Sequence, residues 1–169
     1  MDKLIETIVT AIQDKKGKDI VSLDLTGFDG AICSHFIVCN ADSNAQVAGI
    51  ADGIEKDVYE KLGQKLWRIE GQQNAFWIAM DYVDVVVHIF QSDLREFYKL
   101  EELWADAPMK KYEYVSVRIG KLVGAKSEEH RQIIDEYAKK GYRYVGYIPT
   151  VISDYGKIKD MDLIFEMDI

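Results

Sequence analysis

Residues 76–90 read FWIAMDYVDVVVHIF, and this stretch decides the fold class. Phe76 to Asp81 and Asp84 to Phe90 are two short runs, and the second is dense in β-branched residues that suit a central strand. The link Asp81-Tyr82-Val83-Asp84 looks like a tight turn, where aspartate is common because its carboxylate bonds nearby backbone amides. In an antiparallel pair, the two-residue period puts Trp77, Ala79 and Asp81 on one face of the first strand. Asp84, Val86, His88 and Phe90 then share one face of the second. A face with a tryptophan, two carboxylates and a histidine is unusual for a core. It reads either as a partner surface or as a face covered by a helix of its own domain.

Moving toward the N-terminus, Leu66 to Glu70 is a further strand candidate, and His35 to Ala41 (HFIVCNA) is a continuous apolar run suited to burial on both sides. Asp19 to Thr26 (DIVSLDLT) alternates in part, and Gly27 and Gly30 mark a turn after it. Two helices accompany these strands. Leu4, Ile5, Ile8, Val9, Ala11 and Ile12 recur at helical spacing and stop near Gly17. Ser43 and Gln46 make a capping box for a second helix, with its stripe at Val47, Ile50, Ile54, Val58 and Leu62 and its end at Gly63.

Toward the C-terminus, Ser92 and Asp93 are cap candidates for a short helix carrying Leu94, Phe97 and Tyr98, and Leu100 to Trp104 follows. Pro108 interrupts the pattern, so domains are expected at 1–108 and 112–169. The second has β-α-β-β order. Val115, Val117 and Ile119 mark its first strand. Its helix starts at Ser127 with Glu128 and Glu129, buries Ile133, Ile134, Tyr137 and Ala138, and ends at Lys139, Lys140 and Gly141. Tyr142 to Ile152 reads as a strand broken at Pro149, and Met161, Leu163, Phe165, Met167 and Ile169 give the final strand.

With 169 residues, 48% hydrophobic and only 2 prolines, the chain is expected to be an ordered globular protein. No apolar run reaches the roughly 18 to 20 residues a membrane span needs. The opening Met-Asp-Lys-Leu-Ile-Glu lacks signal-peptide order, so a cytoplasmic location is expected. The net charge of −8 argues against coating naked nucleic acid and suits a basic protein partner. Residues up to Pro108 hold 10 basic and 19 acidic side chains and the remainder 11 and 10, so the acidity belongs to the first part.

Catalytic signatures are weak. Cys33 and Cys39 read as reduced thiols facing one side of a strand, and His35, His88 and His130 lie far apart, so no zinc spacing exists. Gly27-Phe28-Asp29-Gly30 leads into a strand and makes no phosphate cradle, and no G-x-S-x-G occurs. The one enzymatic alternative is a nucleotidyl-transferring enzyme holding Mg²⁺ on Asp24, Asp81 and Asp84. The leading reading has no catalytic residue, metal or cofactor.

At these residues the sequence resembles the ribosomal silencing factor family, also called Iojap-like proteins. The match runs in order through DIVSLDL (19–25), FIVC (36–39), SNAQVAGIADGI (43–54) and RIEG (68–71). It continues with W-x-x-x-D-Y-x-D-V-V-V-H-I-F (77–90) and R-E-F-Y-x-L-E-x-L-W (95–104). The resemblance implies an α/β fold with a mixed sheet and nucleotidyltransferase-like topology, without transferase activity. It implies a translational repressor that binds the large ribosomal subunit, chiefly through its fourteenth protein, and blocks joining of the small subunit. The family's binding surface falls here on Trp77, Asp81, Tyr82, Asp84 and His88.

Three departures stand out: Ser34-His35 replaces Asp-Tyr, Ala41 replaces a glycine, and Val83 replaces the glycine of D-Y-G-D. A valine tolerates positive φ poorly, so the turn is expected to differ or to be strained. Residues from Tyr112 onward resemble a small bacterial domain family, with YEYVSVR (112–118) and IDEYAKKGYR (134–143), which suggests no activity. Tyr112, Tyr114, Tyr142, Tyr144 and Tyr147 are candidates for ligand stacking or for covering a neighbouring element. This part is also a candidate for self-association into a homodimer.

Overall fold

Helix α1 (Lys3–Asp14) buries Leu4, Ile5, Ile8, Val9, Ala11 and Ile12 on one side, and the Asp2 carboxylate caps it by accepting the Leu4 amide at 2.9 Å. The computed structural model describes residues 2–118, 129–153 and 157–169, which form two units, Met1–Lys110 and Lys111–Ile169.

In the first unit, β1 (Lys18–Asp24), β2 (His35–Ala41), β3 (Arg68–Glu70), β4 (Trp77–Asp81) and β5 (Val85–Gln91) stand in the order β3-β4-β5-β2-β1. β2 and β5 are parallel, while β1/β2, β3/β4 and β4/β5 are antiparallel, so the α/β fold has a mixed sheet. The strand at 68–70 is two residues shorter than its sequence suggests.

Helix α2 (Asn44–Leu62) packs on β2, β4 and β5 and against α1, burying Val47, Ile50, Ala51, Ile54 and Val58. Ser43 Oγ accepts the Gln46 amide at 3.2 Å, as a capping box requires. Gln46 returns its bond one residue early, accepting from the Asp42 amide, and its Nε2 donates to the carbonyls of Lys15 and Lys16. The capping glutamine therefore also ties the end of α1.

The opposite sheet face carries Val21, Leu23, Phe36, Val38, Val86 and Phe90, covered by the segment that leaves β5. That segment is α3 (Ser92–Tyr98) and a 3-10 turn (Leu100–Trp104), which send Leu94, Leu100 and Trp104 inward. Neither Ser92 nor Asp93 caps α3: the N-cap is Gln91, without a side-chain bond. Ser92 Oγ instead donates to the Ala41 carbonyl and accepts from Asn40. Cys33 and Cys39 are free, and Cys33 packs on the Phe36 face while Cys39 alternates with Val38 onto the other. The chain bends before β2 begins at His35, which defeats the expected common side.

In the second unit, β6 (Met109–Arg118), α4 (Glu129–Lys139), β7 (Arg143–Ile152) and β8 (Ile158–Asp168) give a sheet with β8 between β6 and β7. Val115, Val117, Ile133, Ile134, Tyr137, Leu163 and Phe165 form its core. The expected cap at Ser127 lies outside the described residues. Pro149 does not break β7; the strand continues through it with a register shift between Pro149 and Val151, a bulge at the edge where proline is tolerated. Tyr137 stacks on Phe165 at 4.4 Å, and Tyr142 and Tyr144 meet Tyr137 and Phe165 edge-on, so these tyrosines cover the core. Ile169 is exposed, outside the buried alternation.

Candidate protein-binding surface

The β4/β5 register sets Trp77 opposite Phe90, Ala79 opposite His88 and Asp81 opposite Val86. These pairs follow the expected alternation, except that Asp84 lies in the turn before β5 and not on the strand, and the five candidate residues have different surroundings. Trp77 and His88 meet: the indole Nε1–H donates to His88 Nδ1 at 3.3 Å. His88 is only 8% exposed, and burial lowers its pKa to about 4, so the ring is neutral with its proton on Nε2. Nε2 has no hydrogen-bond partner among the described residues and lies within the aromatic cluster, whose Phe36 ring stands edge-on at 4.8 Å. His88 therefore supports Trp77 from beneath.

Tyr82 is on neither exposed face. It is 1% exposed, burial pushes its phenol pKa up, and Glu55 on the helical side adds to the shift. Asp81 and Asp84 sit at the turn, about 13 Å along the strand from Trp77 at roughly 3.3 Å per residue. Asp81 Oδ1 accepts the Val83 amide at 2.7 Å, and the Asp84 carbonyl accepts the amides of Ser34 and His35 at 2.9 and 3.1 Å. The Asp84 side chain itself faces solvent.

Val83 has φ 75° and is 61% exposed. The Asp84 amide bonds the Tyr82 carbonyl at 3.0 Å across it, and the Tyr82 amide bonds the Val85 carbonyl at 2.9 Å. This is a γ-turn of the strained, positive-φ kind, so valine at this position is held in a strained conformation. Beside it lies an open depression of about 380 Å³, lined by Phe28, Ile32, Cys33, Val83 and Asp84 among others. Burial raises the Cys33 thiol pKa, which makes it a poor nucleophile at neutral pH.

The three carboxylates of the Mg²⁺ reading do not assemble. Asp24 is used locally, accepting the Thr26 hydroxyl at 2.6 Å and the Thr26 amide at 2.9 Å, and these bonds lower its pKa. Among the described residues no three metal-binding side chains converge. Local bonds within their own turns engage one oxygen each of Asp24 and Asp81, while the Asp84 carboxylate faces solvent.

Two residues of the surface are missed by the strand pattern. Trp77 stacks on Phe90 at 4.7 Å and touches Tyr98 at 5.2 Å, and Tyr98 meets Phe97 at 5.1 Å. Phe90 is fully buried, whereas Tyr98 is 51% and Phe97 76% exposed. An aromatic line thus runs from core to solvent. The signal was R-E-F-Y at 95–98, where two adjacent aromatics on a short helix cannot both point inward. Beneath Trp77, Gly71 has φ 83°, and a Cβ there would stand 1.9 Å from the Trp77 carbonyl oxygen. Only glycine fits this closure.

Comparison with known proteins agrees with this architecture. The family described as Ribosomal silencing factor during starvation matches residues 1–140. The protein named Ribosomal silencing factor RsfS from Halalkalibacterium halodurans is 39% identical over 113 residues, 67% of this chain and 95% of that protein. Its Bacillus subtilis namesake is 38% identical over 106 residues, 63% of this chain and 88% of that protein. A crystal structure of a Chromobacterium violaceum protein, 31% identical, superimposes with a TM-score of 0.59 over 62% of this chain and 86% of that one. A Bacillus halodurans structure, 36% identical, gives 0.55 over 62% and 95%. A family match over residues 1–140, relatives 39% and 38% identical and solved structures of the same fold lead to one assignment: this chain belongs to the ribosomal silencing factor family.

Proposed function

We propose that the chain is a non-enzymatic translational repressor that binds the large ribosomal subunit through a basic ribosomal protein and obstructs joining of the small subunit. One observation carries the binding face: half-buried Trp77, fixed by His88 and Phe90 and continued outward by Tyr98 and Phe97, on a segment whose net charge is −9. Anchored aromatics supply affinity at protein interfaces, and surrounding acidic charge steers a cationic partner. The relatives' printed name, ribosomal silencing factor, supports the ribosome as the target.

Trp77, Asp81 and Asp84 form the contact set, while Tyr82 and His88 act from the interior. The division at Pro108 fits a repressor part followed by an accessory part. The nucleotidyltransferase-like topology is then a likeness of fold without its chemistry.

Sedimentation of purified large subunits with the protein tests this. Trp77→Ala and Asp84→Lys should each weaken co-sedimentation, the tryptophan by about 2 kcal/mol, roughly thirtyfold. Retention equal to wild type for both variants refutes the face, and no co-sedimentation of wild type refutes the function.

A further inference from the structure

Helix α3 has seven residues, none of them buried, no side-chain cap, and a junction at Lys99 with φ 46°. So short a helix does not hold itself in water. Yet its outer side carries Phe97 and Tyr98, and the following turn carries Leu103, 77% exposed. Something must fix where these side chains stand.

The Arg95 guanidinium occupies that position. Its Nη1 donates to the Asp19 carbonyl at 2.6 Å and to Asn40 Oδ1 at 2.7 Å, and its Nε donates to Glu101 Oε1 at 2.9 Å. Nη2 bonds the same carboxylate. The Arg95 and Glu101 side chains are 14% and 20% exposed, so this pair is little weakened by solvent. Asn40, 6% exposed, passes the connection on: its Nδ2 donates to Ser92 Oγ at 3.0 Å, and that hydroxyl donates to the Ala41 carbonyl. Asp19 lies where the β1 register breaks between Lys18 and Val21 and has φ 49°, and its carbonyl is an acceptor for Arg95. One side chain thereby joins β1, β2, α3 and the 3-10 turn.

We propose that Arg95 is a positioning residue for partner binding: it holds residues 92–104 so that Phe97 and Tyr98 stand beside Trp77 as one surface. The partner-binding consequence rests on the repressor reading above; the mechanical one does not. A lysine keeps the charge but cannot donate in three directions from a planar fork, so Arg95→Lys is the discriminating change.

The test uses the full chain and two measurements. Native hydrogen exchange of Arg95→Lys should accelerate about tenfold or more at the Lys99, Glu102 and Ala107 amides, with Ile37 and Val87 in the central strands unchanged. Glu101→Gln should give the same pattern more weakly. Affinity for large subunits, measured well below the unfolding temperature, should fall about tenfold for Arg95→Lys. Exchange that stays at wild-type rates across 92–107, or that rises equally in β2 and β5, overturns the positioning role. So does unchanged affinity of the folded variant where wild type binds. If wild type itself does not bind the subunit, the repressor reading fails, and the exchange pattern still decides whether Arg95 positions the segment.

Discussion

Replacing Val83 by glycine should make the protein more stable, although it removes three carbons and adds backbone freedom. Val83 sits at φ 75°, where its Cβ crowds the backbone, at a cost of about 1 to 2 kcal/mol for a residue with a side chain. Its side chain is 61% exposed, so truncation forfeits little burial. Three hydrogen bonds hold the strained position: Val83 amide to Asp81, Asp84 amide to Tyr82, and Tyr82 amide to Val85, at 2.7 to 3.0 Å. None of them uses the valine side chain, so all survive the change. Glycine's greater freedom when unfolded returns about 0.5 to 1 kcal/mol. The balance is a gain of about 1 kcal/mol, or roughly 4 °C in melting temperature for a unit of this size. Thermal unfolding of Val83→Gly beside wild type measures it, with Val83→Ala as the control that keeps the φ penalty and should gain little. A melting temperature at or below wild type for the glycine variant would show that the turn is not strained, or that the isopropyl group packs against something. Either result refutes the reasoning.

Two further outcomes follow from the same region. His88 is buried and neutral, with a pKa of about 4 against about 6.5 when unfolded, so the native state resists taking up a proton. Its contribution is full above pH 6.5 and is lost as pH falls toward 4. The unfolding free energy should decline by about 3 kcal/mol across that window and more gently in His88→Gln, as seen in denaturant titrations at stepped pH. An identical pH slope for the variant sinks the assignment. At Gly71, alanine would meet the Trp77 carbonyl at a distance no Cβ tolerates, at φ 83°. Gly71→Ala should therefore lose more than about 2 kcal/mol in chemical denaturation, and a loss under 1 kcal/mol would contradict the close approach.

Family membership and most strands and helices were legible in the sequence because they depend on local pattern. The alternation of residues 76–90 gave the strand pair and the face of each strand, while its register comes from the structure, and the stripe from Val47 to Leu62 gave α2, of which Leu62 is not buried. A two-residue period fixes which side chains share a face wherever the strand runs without a bulge, as it does through β4 and β5.

What the sequence could not supply is which of those faces is covered, because the cover comes from distant residues. His88 and Tyr82 lie six residues apart in one motif, yet each is buried on its own side, one under the aromatic cluster and the other by the helices. Asp24, Asp81 and Asp84 suggest one metal site in order of types, but among the described residues no three metal-binding side chains converge, and Asp24 and Asp81 each bond within their own turn. Arg95 looks like an ordinary surface arginine until the fold brings Asp19 and Asn40, 76 and 55 positions away, to its guanidinium. Sequence determined the family, the strand faces and the acidic character, since these follow from residue type and spacing. Tertiary structure alone decided that Trp77 joins Tyr98 and Phe97 at the surface, because burial and hydrogen bonding depend on what the rest of the chain brings alongside.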